Sequence, residues 1–183
     1  MAAKKYLLTS EDFVKSCTNA SDNLSGKYLQ SAIVEAQDVA LRGIIGGPLL
    51  AKLEQLRKDE ALAGDYKELV DRCQYFLAYT ALADVVYKSY KLTNFGVAKS
   101  SDENLQVATP DELAAVKGYY QAKADARCYD LQTWLLANRA SFPELTEACC
   151  QRMRSNLYSA ASCGIFLGGA RGKMSSPAKC TRR

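Results

Sequence analysis

From Lys27 to Tyr87 the apolar residues return every three or four positions, and that recurrence restricts the chain to packed helices. Leu29, Ala32, Ile33, Ala36, Ala40 and Ile44 fall on one helical face by this spacing. Gly46-Gly47-Pro48 is expected to end that helix, because glycine tolerates the left-handed C-terminal position and proline suits the first turn of the next helix. Leu49, Leu50, Leu53 and Leu56 line the second helix. After Gly64, the run Asp65-Tyr66-Lys67-Glu68 reads as a capping arrangement in which Asp65 accepts from early amides and Glu68 reaches back. A third helix follows to about Tyr87, with Tyr66, Leu69, Cys73, Phe76, Leu77 and Thr80 on its apolar stripe.

The flanking sequence completes the pattern. Thr9-Ser10-Glu11-Asp12-Phe13 places a cap before acidic first-turn residues and predicts a short helix to about Cys17, interrupted by the polar stretch from Thr18 to Ser25. Leu92 to Ala98 and Leu105 to Ala108 are short β-type segments around the polar run Ser100-Ser101-Asp102-Glu103-Asn104, which predicts a β-hairpin at about 92–108. Thr109-Pro110-Asp111-Glu112 combines a threonine cap, proline in the first turn and glutamate at the third helical position. The helix it starts carries Leu113, Val116, Tyr120, Ala124, Cys128, Leu131 and Leu135 toward Asn138, a length of about 40 Å. Ser141-Phe142-Pro143-Glu144 repeats the same logic for a shorter helix. The expected architecture is mainly α: a helical bundle over residues 1–162 with one long helix and a protruding β-hairpin, followed by a flexible, basic, Gly/Ser-rich arm at 163–183.

Composition narrows the class. A chain of 183 residues can bury a core without metal or disulfide staples, and 48% hydrophobic with 24% charged residues is ordinary for a globular protein. No apolar run approaches the roughly 18 to 20 residues that cross a bilayer, and the start of the chain lacks a signal core of about 7 to 15 apolar residues, so synthesis in the cytoplasm without membrane association is expected. Seven cysteines, an odd number without CxxC spacing, read as free thiols. The net charge of +4 is unevenly placed. Residues 151–183 carry Arg152, Arg154, Arg171, Lys173, Lys179, Arg182 and Arg183 with no acid, whereas the other 150 residues hold 17 basic and 20 acidic side chains.

The chain contains no histidine, which removes Ser-His and Cys-His nucleophilic pairs, His-ligated zinc and the Glu-x-x-His sets of di-iron bundles. Cys149-Cys150 is the one close cysteine pair, and adjacent residues point two ways on a helix. Gly168 to Met174 superficially looks like a phosphate loop, but Leu167 stands where the first glycine belongs and Met174 replaces the magnesium-binding hydroxyl. No catalytic, cofactor-binding or metal residue is therefore assigned, and no cofactor is expected. The eleven tyrosines fit either extensive subunit contacts or a partly buried tyrosine core.

Three motifs carry a resemblance. The helix Ala36-Gln37-Asp38-Val39-Ala40-Leu41-Arg42-Gly43-Ile44-Ile45-Gly46-Gly47-Pro48-Leu49-Leu50, the stretch Asn94-Phe95-Gly96-Val97 and the element Phe142-Pro143-Glu144 are similar to a family of small head-tail connector proteins of tailed phages infecting Bacteroidales, including the crAss-like phages. The similarity spans most of residues 28–145. It implies a structural virion protein at the head-tail junction, assembled in the host bacterial cytoplasm as a homo-oligomeric ring, commonly of twelve copies. The ring would dock to the portal protein and to neighbouring tail or ring proteins, with DNA passing through its centre. On this basis Asn94, Phe95, Gly96, Val97, Leu105 and Val107 are candidates for the subunit interface, and Arg171, Lys173, Arg182 and Arg183 for contact with portal, neighbour or DNA. The alternative is a DNA-binding or packaging accessory protein that uses the basic tail.

Overall fold

The computed structural model describes residues 7–18, 20, 24, 26–88, 90–93, 96–99 and 109–162, with side chains described outside 87–99 and 159–162. These residues form a mainly helical bundle. Helix α1, Glu11–Cys17, starts where Ser10 accepts from the Phe13 amide at 3.2 Å, with Glu11 and Asp12 in its positive first turn.

Helix α2, Gly26–Glu35, runs without interruption through a π-helical turn, Ala36–Leu41, into α3, Arg42–Ile45. That turn corrects the phase read from the sequence. Ala40 and Ile44 were expected on the buried face with Ala36, yet they are only partly buried, while Gln37, Leu41 and Ile45 are fully enclosed. A π turn holds one residue more than an α turn, so everything after it moves one position around the axis. Gly46 then breaks the helix at φ +84°, and a β-carbon there would sit 2.8 Å from the Cys149 sulfur. Glycine is required twice over, by backbone angle and by space.

Helix α4, Gly47–Lys58, has Pro48 in its first turn and buries Leu49, Leu50 and Leu53; Leu56, expected on the same stripe, is half-buried. Helix α5, Gly64–Lys88, supplies the centre of the core through Leu69, Val70, Cys73, Phe76, Leu77, Ala78, Ala81 and Leu82. The expected cap at Asp65 is not what starts it. The helix already includes Gly64 and Asp65, and Glu68 pairs with Arg72 at 2.8 Å one turn further on.

Helix α6, Pro110–Ala137, opens with the expected reciprocal cap: the Glu112 amide donates to the Thr109 hydroxyl at 3.3 Å and the Thr109 amide to the Glu112 carboxylate at 2.7 Å. It packs along α5 in the most extensive contact between elements. Arg72 lies 4.9 Å over the Trp134 ring and Arg127 lies 5.2 Å over Tyr75, so positions rising along α5 meet positions falling along α6 and the two are antiparallel.

Between these helices, β1 (Tyr90–Thr93) and β2 (Gly96–Lys99) pair antiparallel, Leu92 opposite Val97 and Thr93 opposite Gly96. The sequence had placed Leu92 to Ala98 in one strand. Here that segment is divided between two, and the partner strand expected at 105–108 lies outside the described residues, as does the arm at 163–183.

After α6, a 3-10 turn at Arg139–Ser141 leads Phe142 into the core, where it meets Tyr66 edge-to-face at 5.3 Å and Trp134 in a tilted contact at 5.7 Å. Helix α7, Glu147–Ser162, starts four residues later than Pro143 predicts. Thr146 caps it, accepting from the Cys149 amide at 3.4 Å. Pro143-Glu144 instead forms the turn that seats Phe142, and Glu144 accepts a hydrogen bond from Tyr66 at 2.8 Å.

Candidate functional site

Most residues singled out from the sequence fall outside the described ones: Asn94, Phe95, Leu105 and Val107, and all of Arg171, Lys173, Arg182 and Arg183. Gly96 and Val97 are placed by their backbone at the start of β2. Two other basic residues of the C-terminal stretch are engaged within the fold. Arg152 donates to the Gly43 carbonyl at 2.8 Å, satisfying a backbone group at the end of α3, and Arg154 pairs with Glu147 at 3.3 Å.

Chemistry is sparsely provided. Among the described residues no group of three or more Cys, Asp or Glu side chains is arranged to hold a metal ion. Burial pushes the thiol of fully enclosed Cys73 well above its ordinary value, and the half-buried thiols of Cys17 and Cys128 are also raised, chiefly by burial. A nucleophilic cysteine needs the opposite shift. Among the described residues no helix is long and apolar enough to cross a membrane.

What the surface does offer is aromatic and apolar area on the α5–α6 pair. From Pro110 to Lys123 every residue of α6 is exposed except Leu113 and Tyr120, which are half-buried, Tyr120 packing against the core. This half of the helix carries Val116 at 45% and Tyr119 at 53% exposure, with Lys123 5.6 Å over the Tyr119 ring. Further along, Tyr129 is 49% exposed, and a groove of about 290 Å³ opens between the helices where Arg72, Tyr75, Arg127 and Asp130 meet. On the π turn, Val39 is 69% exposed and lines a recess of about 240 Å³ together with Ala32, Ala36, Ala83 and, from α6, Lys117 and Gln121. Large exposed side chains of this kind are material for contact with another protein.

A family model matches residues 41–155, more than half of the chain. The chain belongs to DUF6712, a family of unknown function. The DUF6712 region begins in the π turn and ends within α7, so it contains the Gly46 break, the whole α5–α6 pair and the Phe142 turn, and leaves out α1 and α2. No curated protein and no solved structure matches the chain.

Sequence reasoning missed one buried polar device. Gln37, on the π turn, is fully enclosed; its carbonyl oxygen accepts from the Leu8 amide at 2.9 Å and its amide donates to Glu54 at 2.8 Å. Gln74 of α5 donates to the Leu8 carbonyl, also at 2.9 Å. Gln37 lies four residues after buried Ile33, at the edge of the apolar stripe, and its polar side chain keeps it out of the stripe read from the sequence.

Proposed function

We propose that the chain is a structural subunit of an oligomeric head-tail connector ring, docked to the portal and forming part of a DNA channel, and that it performs no catalysis. The similarity of the 36–50 helix, Asn94-Phe95-Gly96-Val97 and Phe142-Pro143-Glu144 to phage connector proteins supports the reading from the sequence side. The observation that carries it is the exposed surface of the first half of α6, with Val116 and Tyr119, in a helix that follows the short strand pair in the chain. A two-stranded pair is marginal by itself and gains stability by packing or pairing with a neighbour, and a heterologous contact of that kind repeated around an axis closes a ring. In this reading the strand pair with its Asn94, Phe95, Gly96 and Val97, together with Leu105 and Val107, meets the next subunit. Arg171, Lys173, Arg182 and Arg183 meet portal, neighbour or passing DNA.

Light scattering of the purified protein, alone and with portal protein, tests it. A discrete ring-sized species under either condition is expected; a single-chain mass in both would overturn the proposal.

The second reading, a DNA-binding or packaging accessory, draws on the basic stretch 151–183. Arg152 and Arg154 are already held by Gly43 and Glu147, which leaves five basic residues after Ser162 for phosphate. This reading expects binding to free duplex that weakens steeply with salt, by roughly one power of salt concentration per phosphate contact.

A further inference from the structure

Helix α6 is apolar on two opposite faces. Tyr120, Ala124, Cys128 and Leu131 turn toward the rest of the bundle and are buried or half-buried. Roughly half a turn around the axis, Ala115, Tyr119, Ala122, Ala126 and Tyr129 are all exposed, Tyr119 at 53% and Tyr129 at 49%. These five follow one another at intervals of four, three, four and three residues, the spacing of a seam that packs against another helix, and they run over about 21 Å. A helix with apolar residues all round belongs in an interior, yet within one copy the outer seam of α6 faces solvent.

The seam also matches itself. A second copy of α6, turned antiparallel and centred on Ala122, brings Tyr129 opposite Ala115, Tyr119 opposite Ala126 and Ala122 opposite its own counterpart, so each large side chain meets a small one. Set in parallel, the same helix would place tyrosine against tyrosine and alanine against alanine. The Tyr119 ring is braced by the Tyr120 ring edge at 5.4 Å and by Lys123 at 5.6 Å, so little freedom is lost on docking. Each tyrosine offers about 150–250 Å² of surface; half of that on two tyrosines per copy, with the alanines and flanking stems, comes to on the order of 1,000 Å² over both copies, the lower bound of a specific interface. Pairing through so small an area depends on concentration. We infer that free copies of this chain pair through the outer seam of α6, two-fold and antiparallel about Ala122. The inference goes beyond the ring reading: a two-fold contact uses the face in both copies and cannot repeat around an axis, so the pair is the form of the free chain and parts where a heterologous ring closes.

Sedimentation velocity of the full-length protein without portal, from about 1 to 100 μM, is expected to show one-chain mass giving way to two-chain mass. The variants that test the register change only exposed positions, and circular dichroism checks that each keeps its fold. Tyr119→Ala opens a gap opposite Ala126, and Ala126→Tyr sets two tyrosines against each other, so each is expected to weaken pairing by about tenfold. Because Tyr119 of one copy meets Ala126 of the other, the two substitutions combined in one chain again oppose large with small and are expected to recover most of the affinity. Single variants that pair as the original chain does, or a double variant weaker than either, overturn the proposal. So does an original chain that never reaches two-chain mass: if Ala122→Glu then lowers the melting temperature, the seam is covered within the chain, and if it does not, the seam belongs to a different protein. Pairing without portal and no ring with it defeats the ring and spares the pair, whereas a ring formed on portal by chains that never pair defeats the pair and spares the ring.

Discussion

The Tyr66 hydroxyl, in the first turns of α5, donates to the Glu144 carboxylate at 2.8 Å across 78 residues of sequence. The bond ties the start of the central helix to the turn between α6 and α7, directly over the buried ring of Phe142. Burial, and then the carboxylate that the neutral phenol donates to, push Tyr66 up to about 12.

An unfolded tyrosine titrates near pH 10, so the folded state holds the Tyr66 proton more tightly. The stabilisation is therefore complete below about pH 10 and is lost as pH climbs through about 12. Ultraviolet titration of the folded protein should show a tyrosine step delayed well beyond pH 10, and Tyr66→Phe should remove that late step and cost about 1 kcal/mol at neutral pH. Identical titration curves for the two proteins would refute this.

Gln37 bridges Leu8 and Glu54 from a fully enclosed position. Gln37→Ala opens a cavity and strands a buried amide, so a loss of about 3 kcal/mol is expected in urea unfolding, followed through the single tryptophan, Trp134. Gln74→Ala strands a carbonyl that keeps a second lone pair and is less enclosed, and about 1 kcal/mol is expected. Equal costs for the two variants would contradict the assignment of Gln37 as the central clamp.

Gly46→Ala meets two obstacles, a backbone at φ +84° and the Cys149 sulfur 2.8 Å from the new carbon. About 3 kcal/mol of destabilisation is expected. Adding Cys149→Ala removes the collision and leaves the backbone strain, so the double variant should recover part of the loss and not all of it. Full recovery would mean that the backbone angle costs nothing.

The π turn accommodates one residue more than a regular helix, and Val39 is its most exposed side chain. Deleting Val39 should let residues 26–45 close into one uninterrupted α-helix with Gln37, Leu41 and Ile45 still facing inward, at a cost within about 1 kcal/mol. Deleting exposed Gln30 from the regular part of α2 instead rotates Leu29 and what precedes it out of phase, and should unfold the α1–α2 region. Circular dichroism and thermal melting of the two deletions distinguish these outcomes; equal damage from both would argue against the π turn.

How legible the sequence was depended on range. Thr109 and Glu112 announced α6 because the cap is completed between residues three apart, and the same holds for Ser10 with α1 and for the break at Gly46. Identical local logic failed at Asp65 and at Ser141-Phe142-Pro143. Glu68 finds Arg72 on its own helix, and Phe142 is drawn into the core between Tyr66 and Trp134 before α7 can start. The candidate surface was less legible still, because exposure of Val116, Tyr119 and Val39 depends on which neighbours cover a helix, and spacing alone had put Val116 on the inner stripe.

The sequence by itself determined that this chain folds as a bundle of helices, where most of them begin and break, and that histidine chemistry is absent, since each of these rests on composition or on contacts a few residues apart. Only the tertiary structure decided that Leu41 and Ile45 face inward in place of Ala40 and Ile44, that Gln37 is a buried clamp, and that Arg152 completes the end of α3. The reason is physical: a π turn changes the phase of a helix without a local signature, and which residues are covered after it depends on the helix packed against it, α5, which is distant in sequence.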